Sequence, residues 1–408
     1  TIHIVLVVAE NNSPKRPGIA LCERVETLLK SILTFYSGPL HVHMLTNTRS
    51  AATLSTLFRT WSLANVRTSF YNVEEDQNSL EWVKSTHAVD GYGQLKYIIH
   101  DILPEFVEKA IFIDTDMLVL EDTRVLHSYF DVIDRRVFFA AAPDQYRRLA
   151  LEKSFGKGAK DRSVNSGLVL YNLRAMREGN WTSMWRATGV MLMNKLGVLQ
   201  CPQDLLAAAA ILHPEIYMKL PCEYNFQLGK YSLPWTCLKN ESELWKAKIP
   251  HWTGQKKFND DSLQLSAYFN PLYRCFQQLD GYEFEAKTGK ELKYRTLTNL
   301  RNLKRTENVD DVTLATHVRF NEAIETMMRL NSAWTGPISL VVCGSSWERA
   351  QLINFIFVNR VLHEQFSVHF VYQRNESCPE DYMRRLAIDS SRTNAVLLSD
   401  SKTFFKLD

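Results

Sequence analysis

Short β-branched apolar runs alternate with segments of helical apolar spacing along the first part of the chain. Residues 2–9 read IHIVLVVA, which predicts a buried strand, and residues 18–36 carry apolar positions at helical spacing. Similar strand-like runs occur at 40–47 and 66–73, with a helical stretch near 50–63 between them. This β-α-β-α-β order predicts an α/β fold in which helices cover both faces of a mostly parallel central sheet.

The same alternation continues toward the middle of the chain. Residues 93–103 are predicted to form a helix that Pro104 stops. The remaining predicted elements are strands at 109–114, 137–143 and 167–173, and helices from there to about residue 195 and at 203–212.

Residues 283–309 interrupt the pattern, because they are rich in Lys, Arg, Glu, Asn and Thr and hold few large apolar residues. We predict a linker there, between a first domain at 1–282 and a partial second α/β unit at 310–408. A chain of 408 residues exceeds the size at which one core usually stops growing, which agrees with two domains. The predicted elements of the second unit are strands at 312–320, 337–344, 366–372 and 395–400 and helices at 321–331 and near 346–360.

Composition narrows the class of protein only slightly. Hydrophobic residues make up 45% and charged residues 23%, as in an ordinary globular protein, and a net charge of +3 gives no indication of a nucleic-acid partner. No stretch reaches the roughly 18 apolar residues of a membrane helix, and no signal-peptide pattern precedes Ile2. A membrane anchor upstream of this chain and association into an oligomer both stay open.

The seven cysteines include no CxxC pair, which argues against a zinc knuckle. Cys222 and Cys237 flank a turn-rich segment, where they form either a disulfide that closes a loop of about 15 residues or two free core thiols. Four N-x-S/T sequons favour an oxidising secretory compartment, in which a disulfide forms. The sequons begin at Asn11, Asn180, Asn240 and Asn375.

A pair of carboxylates follows the predicted strand at 109–114. Asp114 and Asp116 stand two residues apart, so an extended backbone directs both side chains the same way. Ligands of α/β sheets bind at the carboxyl ends of strands, and two close carboxylates repel each other unless a cation joins them. Hard oxygen ligands suit Mg²⁺ or Mn²⁺, which also bind diphosphates. The alternative is a pair of loop or helix-capping aspartates.

Two other segments carry candidate chemistry. His251 offers an imidazole that would bias a metal site toward manganese, Gly254 allows close backbone approach to a phosphate, and Lys257 supplies positive charge. Lys96, at a predicted helix start, would face an anion, and the GxG at Gly91 lacks the third glycine of a dinucleotide fingerprint. The alternative is a surface loop with stray charges and a solvated lysine.

These blocks occur together in one family of enzymes. The Asp-Thr-Asp block, Ala141 to Asp144, Asn165-Ser166-Gly167, and His251-x-x-Gly254-x-x-Lys257 stand in the order found in the glycogenin-like retaining glycosyltransferases of family eight, so residues 2–280 resemble that family. The resemblance implies a nucleotide-sugar-binding domain of the GT-A type. It implies Mn²⁺ on Asp114, Asp116 and His251, and a UDP-sugar donor. It also implies these donor contacts: Lys96, Asp144, Asn165, Ser166, Gly167, Gly254 and Lys257, with Gln203 as the catalytic carboxamide.

Longer stretches resemble the LARGE proteins, which are Golgi enzymes with a xylosyltransferase and a glucuronyltransferase domain. SGPLHVHMLT and LPCEYNFQL resemble their first domain, and DDVTLATHVRF followed by WTGPISLVV resembles the start of their second. The resemblance implies transfer of xylose from UDP-xylose to a glycan acceptor on a dystroglycan-type glycoprotein. It also implies a location in the Golgi lumen, as in a type II membrane protein.

The chain also departs from the family pattern. Pro202 stands where the family usually has an aspartate before Gln203, so a sugar-contacting carboxylate is missing unless Asp204 substitutes. In the second unit Lys402 replaces the second carboxylate of the expected metal motif after Asp400, which indicates a truncated or degenerate domain. An alternative function is therefore a catalytically impaired protein that binds a UDP-sugar or acts as a scaffold.

Overall fold

The computed structural model divides the chain into two compact units, Thr1–Ala267 and Tyr268–Asp408. It describes residues 1–9, 19–36, 38–61, 63, 65–86, 92–146, 149–156, 159, 163–253, 264–278, 295–300, 311–344, 348, 352, 355–356, 365–372, 378–391 and 393–399. The predicted linker at 283–309 and the domain limits beside it stay a prediction.

A seven-stranded sheet forms the centre of the first unit. Its strands are β1 (Ile2–Val8), β2 (Leu40–Thr46), β3 (Val66–Asn72), β4 (Lys109–Ile113), β5 (Phe139–Pro143), β6 (Val164–Asn172) and β7 (Tyr217–Lys219). They lie in the order β3-β2-β1-β4-β6-β5-β7, and β6 alone runs antiparallel to its neighbours. The predicted mostly parallel α/β sheet is confirmed. A separate parallel pair is formed by β8 (Phe226–Gln227) and β9 (Pro250–His251).

Helices connect the strands of the first unit, and most of them bury one apolar face. They are α1 (Ile19–Phe35), α2 (Thr48–Trp61), α3 (Glu74–Asn78), α4 (Ile99–Ile102), α5 (Thr123–His127), α6 (Leu149–Phe155), α7 (Leu173–Glu178), α8 (Trp181–Leu196) and α9 (Gln203–Leu212). Helix α10 (Gln264–Gln278) contains the boundary between the two units. Helix α8 shows the pattern clearly, since Trp181, Trp185 and Leu192 form one buried stripe at helical spacing. Burying each such side chain contributes about 1.5–3 kcal/mol to the free energy of unfolding.

The predicted helix at 93–103 takes a different form. Tyr92–Tyr97 is a 3₁₀ helix, and only α4 is α-helical before Pro104. Tyr171 Oη donates to the Lys96 carbonyl at 3.0 Å, and Trp181 Nε1 donates to the Tyr97 carbonyl at 2.8 Å. Because these carbonyls bind side chains from β6 and α8, they are not used by amides of a continuous α-helix.

The arrangement of β1, β4 and β6 creates the ligand-binding edge of the sheet. The chain order reverses between β1 and β4, which is the switch point where open α/β sheets bind ligands beyond the carboxyl ends of their strands. Since β6 is antiparallel to β4, the first residues of β6 reach the same edge as the last residues of β4. Residues after 113 and near 165 therefore meet there.

A smaller sheet forms the second unit. Its strands are β10 (Arg295–Leu300), β11 (Val312–Arg319), β12 (Ile338–Gly344), β13 (Phe366–Tyr372) and β14 (Ala395–Leu398), with helices α11 (Phe320–Ala333) and α12 (Glu380–Asp389). The order is β10-β13-β12-β11-β14, and β10 alone is antiparallel. The predicted strands 312–320, 337–344, 366–372 and 395–400 are confirmed within a few residues. Strand β10 was not predicted, because its sequence is polar and lies in the segment interpreted as a linker.

Two disulfides are present among the described residues. Cys222 forms a disulfide with Cys237, which is one of the two alternatives that the sequence left open. Cys343 forms a disulfide with Cys378, which was not predicted. Within the part of the chain that the structure describes, no helix combines the length and apolar character needed to cross a membrane.

Candidate active site

The two aspartates and the histidine predicted as metal ligands come together at the edge beyond β4. Asp114 follows β4, and its amide donates to the Gly167 carbonyl at 2.7 Å. The Asp116 carbonyl accepts from the Trp252 amide at 2.9 Å, which joins this segment to the residues after β9. His251 Nε2 lies 3.3 Å from Asp116 Oδ1, and one ligand atom from each of the three side chains lies within 4.8 Å of the other two.

Asn225 fixes the orientation of the His251 ring. Its Oδ1 lies 2.9 Å from His251 Nδ1, while its Nδ2 donates to Asn165 Oδ1 at 2.9 Å. The amide must therefore present oxygen to the imidazole, which places the ring proton on Nδ1 and leaves the Nε2 lone pair facing Asp116. Hydrogen bonds of this kind hold metal-ligating histidines in one tautomer.

Gly167 allows the histidine to pack against β6. A Cβ atom at this position would lie 2.3 Å from His251 Cε1 and 2.7 Å from Nδ1. The Gly167 amide donates to Asn165 Oδ1 at 2.9 Å, so the start of β6 and the histidine share one hydrogen-bonded network. The predicted Asn165-Ser166-Gly167 block thus lies against the candidate metal ligands.

Lys96 is a buried cation of the site. The alternative interpretation of Lys96 as a lysine exposed to solvent is therefore wrong. Its side chain is 10% exposed, and Nζ lies 3.0 Å from Asp114 Oδ1. Nζ also donates to the Ser166 carbonyl at 3.1 Å and lies 4.6 Å from the centre of the Phe112 ring. Burial and the Asp114 charge raise the pKa of Tyr171, so its protonated hydroxyl keeps donating to the Lys96 carbonyl.

Gln203 is held at the first turn of α9 by two other predicted residues. Its Nε2 donates to Asp144 Oδ2 at 2.7 Å, and its Oε1 accepts from the Ser166 amide at 3.4 Å. The carboxamide therefore lies beside the start of β6, next to the Lys96–Asp114 pair.

Asp204 has a different environment from the one predicted. The residue is fully buried, and its Oδ2 accepts from the amides of Gln200 and Cys201 at 2.9 and 3.0 Å. This geometry speaks against a sugar-contacting role, because the carboxylate satisfies the backbone amides of the turn before α9. The position of Asp204 beside Gln203 in sequence does not bring it to the site, since adjacent residues of a helix point about 100° apart.

Gly254 and Lys257 lie outside the described residues, as do Gly91, Asp400 and Lys402. The described chain reaches Thr253, whose Oγ1 lies 2.8 Å from Tyr146 Oη.

Three amide side chains near the site were not predicted. Gln145 and Gln227 exchange reciprocal hydrogen bonds, in which the backbone N–H of each donates to the side-chain Oε1 of the other at 3.1 Å. These bonds join the segment after Asp144 to β8. Asn225 and Gln227 belong to the stretch LPCEYNFQL, so the resemblance already pointed to this segment. Nothing in the sequence assigned those two residues to His251 and to the Asp144 segment.

Replacing Asn225 with alanine is expected to weaken the binding of UDP with Mn²⁺ that the family resemblance implies by about 10–100-fold, because His251 loses the acceptor that fixes its tautomer. Calorimetric titration of UDP in the presence of Mn²⁺ measures this. Asn172→Ala is the matched control, since Asn172 caps α7 at the opposite end of β6. Affinity of the Asn225 variant within threefold of wild type would contradict the orienting role.

Comparison with known proteins agrees with this geometry. The profile described as Glycosyl transferase family 8 matches residues 22–261, more than half of the chain. Human Xylosyl- and glucuronyltransferase LARGE1 is 27% identical over 98% of this chain and 56% of its own length. Human LARGE2 is 26% identical over 98% of this chain and 59% of its own length. The chain thus spans less than two thirds of these relatives.

Among solved structures, the WbbM bifunctional glycosyltransferase aligns with a TM-score of 0.50 and 17% identity, over 70% of this chain and 51% of that one. This likeness concerns the fold alone. Together with the family match and the β3-β2-β1-β4-β6-β5-β7 sheet, it establishes a GT-A-like glycosyltransferase architecture.

Proposed function

Because the chain belongs to glycosyl transferase family 8, we propose that it is a metal-dependent retaining enzyme that transfers xylose from UDP-xylose to a glycan acceptor on a glycoprotein. The observation that carries this proposal is the cluster of Asp114, Asp116 and His251 at the switch point of the sheet. The LARGE relatives are named as xylosyl- and glucuronyltransferases, which supports xylose or glucuronate as the sugar.

The donor atoms of the cluster fit a manganese ion. Two carboxylates supply hard oxygen ligands, and one imidazole nitrogen favours manganese over magnesium. Asp116 and His251 are buried, so their ligand atoms are held before a metal arrives. A bound Mn²⁺ supplies the positive charge that offsets the charge gained by the leaving diphosphate.

The protein's own residues would position the donor around that ion. Lys96 pairs with Asp114 at 3.0 Å, and this contact would keep the strand-end carboxylate in place when metal and donor bind. Gln203, fixed by Asp144 and by the Ser166 amide, presents a carboxamide that would stabilise positive charge on the sugar ring. Asn165 accepts from the Asn225 side chain that orients His251, and Gly167 leaves room for the histidine ring. A site built in advance lowers the cost of reaching the transition state.

The second unit contributes no comparable site among its described residues. Among the candidate metal-binding groups of the described residues, the one that contains two carboxylates is Asp114, Asp116 and His251, in the first unit. Lys402 stands where the sequence resemblance expects a second carboxylate. We therefore propose that the chain transfers xylose but not glucuronate. The sequons and the Cys222–Cys237 disulfide support a secretory location, which we propose is the Golgi lumen.

The test offers UDP-xylose, UDP-glucose, UDP-galactose and UDP-glucuronate with Mn²⁺ to an acceptor that ends in glucuronate. UDP release and product mass are measured for each donor alone and for the xylose and glucuronate donors together. We expect single addition of xylose, at a rate at least about tenfold above the other donors. Polymer growth would contradict the assignment of one active domain. UDP binding without transfer from any donor would favour the impaired binding protein.

A further inference from the structure

Three histidines lie together on strands β1 and β2 of the large sheet. The parallel register pairs His3 of β1 with His41 of β2, and His43 stands two residues further along β2. Residues two apart on a strand share a face, so all three imidazoles are on one face of the sheet. We call His3, His41 and His43 the three-histidine cluster.

The rings of the three-histidine cluster are in direct contact. His3 Nδ1 lies 2.9 Å from His43 Nε2, and the rings of His41 and His43 stack with their centres 4.0 Å apart. One ring nitrogen from each histidine lies within 4.8 Å of the other two. Two nitrogens on a tetrahedral Zn²⁺ lie about 3.4 Å apart when each Zn–N bond is about 2.1 Å. Small side-chain rotations would therefore place all three nitrogens at bonding distance from one ion.

Strand β3 supplies a partner for the far nitrogen of two rings. His43 Nδ1 lies 2.9 Å from Tyr71 Oη, and His41 Nε2 lies 2.9 Å from Ser69 Oγ. With a metal on the inner nitrogens, His43 Nε2 and His41 Nδ1, these hydroxyls would accept the protons of the outer ring nitrogens. This is how outer hydrogen bonds hold metal-ligating histidines.

We propose that the three-histidine cluster binds one Zn²⁺ ion through one nitrogen of each imidazole, at a site separate from the diphosphate-binding carboxylates. Three neutral nitrogen ligands without a carboxylate select a borderline metal such as zinc over manganese or magnesium. His43 is fully buried, whereas His3 and His41 are partly exposed and give an ion access from solvent. The ion would cross-link β1 to β2 and leave a fourth coordination position for water.

The test titrates Zn²⁺ alone into the Asp116→Ala chain, whose diphosphate-side metal cluster has lost one carboxylate. We expect one zinc per chain, and at least about 100-fold weaker binding after His41→Gln is added, because a ligand matters at least as much as its hydrogen-bond partner. His213→Gln on the same background is the matched control, since His213 lies on the surface after α9. We expect its zinc affinity to stay within twofold of the Asp116→Ala parent.

X-ray absorption spectroscopy at the zinc edge, performed on the zinc-loaded Asp116→Ala chain, gives a readout that does not depend on folding of the histidine variant. We expect three nitrogen ligands at about 2.0–2.1 Å. The proposal is overturned if the Asp116→Ala chain binds no zinc, if His41→Gln leaves the affinity unchanged, or if the bound ion shows sulfur ligands.

Discussion

Replacing Asp116 with asparagine is expected to lower the rate of sugar transfer by about 10³-fold or more, which corresponds to about 4 kcal/mol of transition-state stabilisation. The reason is that Asp116 is a buried carboxylate facing His251 Nε2 at 3.3 Å. Asparagine keeps the size of the side chain but removes the negative charge that holds a cation. Metal-dependent UDP binding should be lost together with transfer, because the same ion would anchor the diphosphate.

The measurement pairs calorimetric UDP titration, with and without Mn²⁺, with a transfer assay. Asp134→Asn is the control, because this aspartate is exposed, lies in the same unit and pairs only with Arg136 among the interactions seen. Thermal unfolding of both variants separates loss of the site from loss of the fold. Unchanged Mn²⁺-dependent affinity for UDP in the Asp116 variant would remove the basis of the metal assignment.

The strand pattern was enough to predict where Asp114 lies. An apolar run followed by two carboxylates indicates the end of a buried strand, and the β-α-β order makes that end part of the ligand-binding edge. His251 follows Asp116 by 135 residues, so no local pattern connects them. Only the order of the family's blocks placed them in one site, and the structure brings their ligand atoms within 4.8 Å.

Other features of the site could not be predicted, because they depend on packing between distant segments. The chain around Lys96 was predicted as a helix start, but the contacts of Tyr171 and Trp181 with its carbonyls decide that it is 3₁₀. Asn225 carries no local signal of its role, since an amide that orients a histidine is recognised only by its partners. Asp204 shows the reverse case, since the sequence suggested a substitute sugar contact, whereas its carboxylate accepts from the backbone amides of the turn before α9.

The second unit shows how far topology supports the sequence resemblance. Its strands β13-β12-β11-β14 repeat the order of β3-β2-β1-β4, so β14 corresponds to β4. The position of Asp400 in sequence, two residues after the end of β14, is therefore comparable to that of Asp114 after β4. The repeated topology agrees with a second domain of the same type, whereas the chemistry at 400–402 rests on sequence alone.

Replacing Gly167 with alanine is expected to lower Mn²⁺-dependent UDP affinity and transfer about 100-fold. The added Cβ would lie 2.3 Å from His251 Cε1, so one of the two must shift by more than 1 Å to reach an ordinary contact. Because Asn225 and Asp116 hold the buried ring on both nitrogens, the shift would break one of these contacts. A displacement of about 1 Å in a positioned group is enough for a 10²-fold loss of rate.

Gly197→Ala is the matched control for this prediction, because it adds the same methyl group where no atom lies within 4 Å. Its positive φ of 72° makes alanine strained there, at a cost of about 1 kcal/mol in the free energy of unfolding. The control should therefore lower thermal stability yet bind UDP and transfer sugar as wild type does, whereas the Gly167 variant should fail in binding even where it is fully folded. Equal UDP affinity in the two variants would show that His251 can move away from the added methyl group without weakening UDP binding. The packing of His251 against β6 would then not be what positions this metal ligand.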